Sequence, residues 1–177
     1  MCVYSVADCT PLLIQQNDGS GSMNRSRAEY KVGFGERSGN YWLGNHLLSQ
    51  LTANFRYKLR FDLQQYGTGT WYYAEYSRFR VLPEPYYALK VGGFSGNVSD
   101  DAFGRYSNGE RFSTFDFDND RWWTSGNCAA ALGGGFWYGV YCAWCPVNGA
   151  RSAVGFHWSN LEGVNSLQLS RMWLKCK

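Results

Sequence analysis

The sequence predicts an α+β domain: a twisted antiparallel sheet with short helices to one side and a long irregular lobe. Apolar and polar residues alternate from Phe55 to Gln65, and alternation returns near the C-terminus from Asn165 to Lys175, the period of half-buried strands. Gly67-Thr68-Gly69-Thr70 then separates the first alternating run from a second apolar segment, which makes the two an antiparallel hairpin. Between Ser95 and Gly163 periodicity gives way to Gly, Asn, Ser and Asp. Loops of that length are usually functional or cross-linked.

Taken in chain order, NRSRAEYKVGFG is predicted as a short helix, with Asn24 capping its first amides and Gly33 ending it in a left-handed turn. A second helix is predicted in GNHLLSQLT, capped by Asn45. Phe55, Tyr57, Leu59, Phe61 and Leu63 then share one side of a strand, opposite Arg56, Lys58, Arg60, Asp62 and Gln64. WYYAEYSRFRVL returns as the second strand, YYALKVGGF forms a third, and NSLQLSRMWLK closes the sheet as the last.

A length of 177 residues suits one domain with its own core. Hydrophobic residues at 45% against 18% charged exclude a disordered protein, and 21 glycines against 4 prolines indicate many tight turns. The 8 Trp, 13 Tyr and 11 Phe serve equally to fill a core or to line a binding site. A net charge of +3 with no basic run beyond two residues argues against a nucleic-acid partner. Six cysteines and the sequons Asn24-Arg25-Ser26 and Asn97-Val98-Ser99 lean toward an extracellular, secreted protein, although Met1 is not followed by a secretion signal. The uncharged stretch from Cys128 to Val147 has four glycines, three cysteines and a proline, and reads as a disulfide-closed loop region rather than a membrane span.

Chemistry concentrates in FSTFDFDNDRWWTSGNC. Asp116, Asp118 and Asp120 share the opening of a helix-loop-helix calcium loop, but its required Gly and Glu positions hold Arg121 and Asn127. That motif therefore fails, and two readings remain: a calcium ion held by carboxylates and backbone carbonyls, or a solvated acidic turn. A glycosidase acid/base pair is disfavoured, because such carboxylates flank a cleft rather than follow one another on a loop. His46 and His157 lack any nucleophile motif beside them and read as packed or surface residues. Cys142-Ala143-Trp144-Cys145 is a lone C-x-x-C outside the βαβ context of a redox pair. It reads as two cysteines held in separate disulfides, so no enzyme is expected.

The order EYKVGFGERSGNYWLGN, YKLRFDLQQYGTGTWYYAEYSRFRV, KVGGFSGN, FSTFDFDNDRWWTSGNCA, GFWYGVYC and GFHWSN resembles the fibrinogen C-terminal-like domain, shared by fibrinogen chains, ficolins, tachylectins, angiopoietins and tenascins. The resemblance implies a domain over 13–177, preceded by an atypical segment 1–12 where the family usually has a small disulfide-closed subdomain. It implies a Ca2+ ion held by the side chains of Asp118 and Asp120 and the backbone oxygens of Trp122 and Thr124. It also implies a Cys128–Cys142 disulfide with a cis bond from Tyr141 to Cys142, and leaves Cys2, Cys9, Cys145 and Cys176 without assigned partners.

The family's ligand pocket beside the calcium maps to Leu132, Tyr141, Ala143, Ser152 and Ala153. Ala143 stands where the family has a histidine, and Leu132 and Ser152 stand near its tyrosines. Trp122, Trp123, Phe136, Trp137 and Trp144 add apolar surface, part of it expected in the core. The resemblance thus implies a calcium-stabilised recognition module for a glycan or acetylated ligand, with acetyl binding weakened by the lost polar rings. The alternative is a receptor- or matrix-binding module meeting a protein partner through the loops 95–107 and 142–159. No oligomerising stalk is seen, so oligomers are expected only through other segments.

Overall fold

The computed structural model describes residues 10–54, 56–122, 126–142, 144–151, 155–159, 161 and 166–177. The fold opens with strand β1 (Leu12–Asn17), helix α1 (Arg27–Val32) and two short strands, β2 (Phe34–Gly35) and β3 (Tyr41–Trp42). Helix α2 (Asn45–Thr52) leads into the long strands β4 (Tyr57–Gln65), β5 (Trp71–Val81) and β6 (Leu89–Gly96). The predicted irregular lobe contains helix α3 (Ala102–Ser107), strand β7 (Phe112–Ser113), helix α4 (Cys128–Leu132) and strand β8 (Phe136–Trp137). Strand β9 (Leu167–Cys176) completes the order.

Seven strands form one antiparallel sheet in the order β2-β3-β1-β9-β4-β5-β6, and β7 and β8 pair separately. The hairpin and the closing strand stand where they were expected, and the third strand, expected over 86–94, runs from Leu89 to Gly96. Leu59, Phe61 and Leu63 are fully buried, as the period-2 pattern requires. Phe55, predicted on the same face, lies outside the described residues. Strand β1 was not anticipated.

Two caps differ from expectation. Ser26, not Asn24, caps α1, in a capping box: its hydroxyl accepts from the Glu29 amide while the Glu29 carboxylate accepts from the Ser26 amide. Gly33 does end the helix, at φ 95° and ψ 160°, positive but extended rather than left-handed helical. Asn45 is the first residue of α2 instead of its cap, because its Oδ1 accepts from Trp42 Nε1 at 3.0 Å.

Aromatic rings join sheet to lobe. Phe61 of β4 meets Phe103 of α3 at 4.9 Å and Trp158 at 5.1 Å, and Trp42 meets Trp137 of β8 at 6.0 Å. Edge-to-face and tilted packing of this kind adds to simple area burial. Phe136 and Trp137 are therefore core rather than binding surface.

A polar seam complements these rings. Fully buried Gln15 donates from Nε2 to Asn148 Oδ1 (3.0 Å), Ser170 Oγ (2.9 Å) and the Val147 carbonyl (3.3 Å). Asn17 donates to the carbonyls of Val147 and Gly149, and Asn148 to that of Gly135. The 145–150 segment has no ladder to satisfy its carbonyls, so side chains of β1 and β9 meet them. Gln15→Leu should strand these acceptors and cost about 1 to 3 kcal/mol. Thermal unfolding should show it as a Tm drop of roughly 2 to 4 °C per kcal/mol, and an unchanged Tm would mean the seam contributes nothing.

Candidate metal and ligand site

The acidic stretch resolves into two jobs. After β7, Thr114 and Phe117 exchange two backbone hydrogen bonds of 3.1 Å, forming a tight turn. Asp116 in that turn accepts from Thr114 Oγ1 at 2.7 Å and from the Arg27 amide at 2.9 Å, so it satisfies a free donor at the start of α1. The Arg27 guanidinium lies 3.9 Å from the Phe117 ring centre. Asp116 is thus framework; the D-x-D-x-D spacing alone did not distinguish it from Asp118 and Asp120, whereas the resemblance left it out of the ligand set.

Asp118 and Asp120 are held differently. Asn119 between them is pinned to β7, its amide donating to Ser113 Oγ (2.9 Å) and its Nδ2 to the Phe112 carbonyl (2.8 Å). Asp118 is exposed and accepts from the Asp120 amide at 3.1 Å. Asp120 is half-buried and accepts from Trp122 N at 2.9 Å through Oδ1 and from Cys128 N at 2.8 Å through Oδ2. Burial pushes the Asp120 carboxyl above its ordinary value, the two amides pull it back, and the neighbouring Asp118 carboxylate pushes it up again. Arg121 turns away to pair with Glu110.

These residues fit a hard cation. Two hydrogen bonds leave the Asp120 carboxylate with unused lone pairs, Asp118 has more, and their mutual repulsion is what a divalent ion relieves. Among the described residues no group of three His, Cys, Asp or Glu could hold a metal, so an ion here would need backbone carbonyls as well. Of the two carbonyl donors that the resemblance implies, Trp122 is described, its amide bonded to Asp120, and Thr124 lies outside the described residues.

Helix α4 forms the wall beside this loop. Asn127 caps it, accepting from the Ala130 amide at 2.8 Å, and its Nδ2 donates back to the carbonyls of Thr114 (3.0 Å) and Phe115 (3.3 Å). Cys128 is bonded to Cys142, the expected disulfide. Trp122, Ala131, Leu132, Tyr141, Cys142 and Trp144 then line an open cleft of about 430 Å³. Trp144 stacks on Tyr106 with ring centres 4.3 Å apart, and Tyr141, 55% exposed, meets Trp144 edge-on at 6.1 Å. Of the expected pocket residues, Leu132 and Tyr141 come together here, while Ala143, Ser152 and Ala153, with Trp123, lie outside the described residues.

Two expectations are corrected. Among the described residues the only cis peptide bond is Glu84–Pro85, so the Tyr141–Cys142 bond is not cis; a trans bond is the ordinary state for a non-proline amide. Cys145 is a free, buried thiol rather than half of a disulfide. It contacts Ser107 Oγ at 3.8 Å among aromatic rings, and burial pushes its pKa up to about 12. That is the opposite of an activated redox thiol. Cys176 is disulfide-bonded. His46 is on the exposed face of α2, near Gln50.

This combination of a sheet, a disulfide-closed lobe and an acidic loop beside an aromatic cleft defines a recognition domain. The profile of the C-terminal globular domain of the fibrinogen beta and gamma chains matches residues 5–177, and this protein belongs to that family. Its members are non-enzymatic recognition proteins, and this one is not an enzyme. It is 37% identical over 166 residues to microfibril-associated glycoprotein 4 of Mus musculus, covering 90% of its own length and 62% of the relative. The fibrinogen-like globe domain of human ANGPTL2 superposes with a TM-score of 0.83 at 33% identity, over 94% of the present sequence and 80% of that one. Lamprey fibrin D-dimer complexed with the peptide ligand Gly-His-Arg-Pro-amide gives 0.77 at 29% identity, over 93% and 60%. The protein thus spans less than two thirds of the length of the first curated relatives it matches, and only 8% of mouse tenascin. Among the described residues no helix is long and apolar enough to cross a membrane.

Non-reducing peptide mapping should recover Cys128 linked to Cys142. A maleimide at pH 8 should leave Cys145 unlabelled in the native protein and label it once unfolded, because a buried thiol with a raised pKa holds almost no thiolate. A dominant Cys142–Cys145 bridge would contradict this arrangement.

Proposed function

We propose that this domain is an extracellular, calcium-stabilised recognition module whose cleft receives an apolar anchor from a protein or peptide partner. The observation that carries this reading is the cleft itself, walled by Trp122, Leu132, Tyr141 and Trp144 directly beside the Asp118–Asp120 loop. Aromatic and aliphatic walls bury an apolar group, while the Tyr141 hydroxyl is the only one among the described lining residues. The solved fibrin structure with a bound peptide supports a peptide-sized ligand for this fold. The disulfides support an oxidising compartment.

A second reading, an acylated glycan, is favoured by the three aromatic rings, whose faces suit sugar or acyl groups. It lacks polar anchors on the described wall to orient a small ligand. Calcium, in either case, would be held by Asp118 and Asp120 and would neutralise their repulsion.

Selection from a displayed peptide library should enrich sequences with an aromatic or aliphatic anchor, and Tyr141→Ser should weaken their binding at least tenfold with little change in Tm. Little retention is expected on N-acetylglucosamine resin, with or without calcium. Tight calcium-dependent retention there would favour the glycan reading.

Calcium at roughly 100 to 1,000 times Kd should stabilise the folded protein by about 3 to 4 kcal/mol and so raise Tm. Asp118→Asn and Asp120→Asn should each abolish most of that rise. A wild-type melting curve unchanged by chelator would remove the metal from the proposal.

A further inference from the structure

The solvent side of the main sheet carries charge that the cleft does not use. At its centre Glu75 of β5 accepts from three cations, Lys58 (3.2 Å), Arg60 (3.3 Å) and Lys175 (3.3 Å), and Asp62 is held by Arg60 at 2.7 Å. The carboxylates here are thus already engaged by a surplus of positive groups. Toward the sheet edge, Arg78 and Arg80 of β5 and Lys90 of β6 line a second open cleft, of about 450 Å³, with Leu82, Val91 and Asn108. The ladder sets Arg80 opposite Lys90 and Arg78 opposite Gly92, so the guanidinium of Arg78 extends over a position without a side chain. No lining residue is acidic. Arg78 and Lys90 are exposed and, among the described residues, neither has a carboxylate partner. Asn108 accepts from the Val91 amide at 3.0 Å through Oδ1, which leaves its NH2 as a further donor.

We propose that this cleft and the adjoining Lys58–Arg60–Lys175 row bind a sulfated polysaccharide. The cations are spread from β6 across β5 and β4 to β9, three strand spacings or roughly 14 Å. One small anion cannot reach both ends, whereas a polymer with repeated anionic groups can. Leu82 and Val91 offer no aromatic platform for bases within the cleft, and in the adjoining row the Tyr73 ring is already covered by the Arg60 guanidinium, 4.4 Å from its centre, with Trp173 opposite Arg60 on β9. The disulfides fit an oxidising, extracellular setting, where polyanionic polymers are sulfated glycans. This site is separate from the aromatic cleft.

The test is elution of the 177-residue protein from immobilised heparin in a salt gradient. Wild type should be retained at about 0.15 M salt and should pass through a desulfated version of the resin. Arg78→Ser with Lys90→Ser should weaken binding at least tenfold and reduce the slope of log K against log salt by about two. Arg25→Ser with Lys31→Ser removes the same charge from the exposed α1 region and should elute as wild type. Lys90→Gln alone, at an exposed position, should give a smaller shift in the same direction. Flow-through of wild type, equal shifts for both double variants, or displacement by a DNA oligonucleotide at lower concentration than by free heparin would each overturn the assignment.

Discussion

The C-terminal strand governs this fold. β9 lies in the interior of the sheet, pairing with β1 on one side and β4 on the other, so that Leu174 stands opposite both Leu12 and Leu59. Until it docks, β2-β3-β1 and β4-β5-β6 are two separate pieces with open edges. Burial of Leu167, Met172 and Leu174 brings them together. Everything between Gly96 and Leu167 is therefore an excursion that leaves from an edge strand and must return to the middle. The lobe can be irregular because both of its ends are fixed by the sheet.

An irregular lobe still has to satisfy its backbone. Asn119, Asn127 and Asn148 do much of this, each bonding to main-chain groups remote from itself. Gln15 and Asn17 reach in from β1, and Ser170 from β9, to the same Val147 carbonyl. Such side chains replace the ladder that regular structure would supply. They also explain why a loop with little secondary structure can hold two carboxylates and an aromatic cleft in fixed relation.

The strands that were legible are those with one wet face. Alternation in β4 exposes one side to solvent and hides the other, and the pattern records this directly. β1 gave no such pattern because Gln15, Gln16 and Asn17 are all buried, their amides spent on the lobe, on Gly39 and on Arg171. The caps were missed for a different reason: Ser26 and Glu29 have the S-x-x-E spacing of a capping box, and Asn45 is engaged by Trp42 three residues before it, so both partners are local and were passed over. Spacing alone could not tell Asp116 from Asp118 and Asp120, since the Arg27 amide that engages it is distant in sequence; only the resemblance left it out of the ligand set. The motif-based resemblance located the disulfide and two walls of the cleft. The basic face escaped a search for charge runs because its members come from four strands, one or two from each.

Asp120 links the acidic loop to both sides of the cleft. One carboxylate oxygen holds the amide of Trp122, a cleft wall, and the other holds the amide of Cys128, where α4 begins and leads to Leu132. Cys128 in turn is tied through its disulfide to Cys142, beside Tyr141. Burial and the neighbouring Asp118 carboxylate push the Asp120 carboxyl upward, while these two amides pull it back. A cation shared with Asp118 would relieve the repulsion between the two carboxylates and so hold Asp120, with its two amide partners, in place. The metal's part in recognition would then be to hold the two walls at one separation, without touching the ligand.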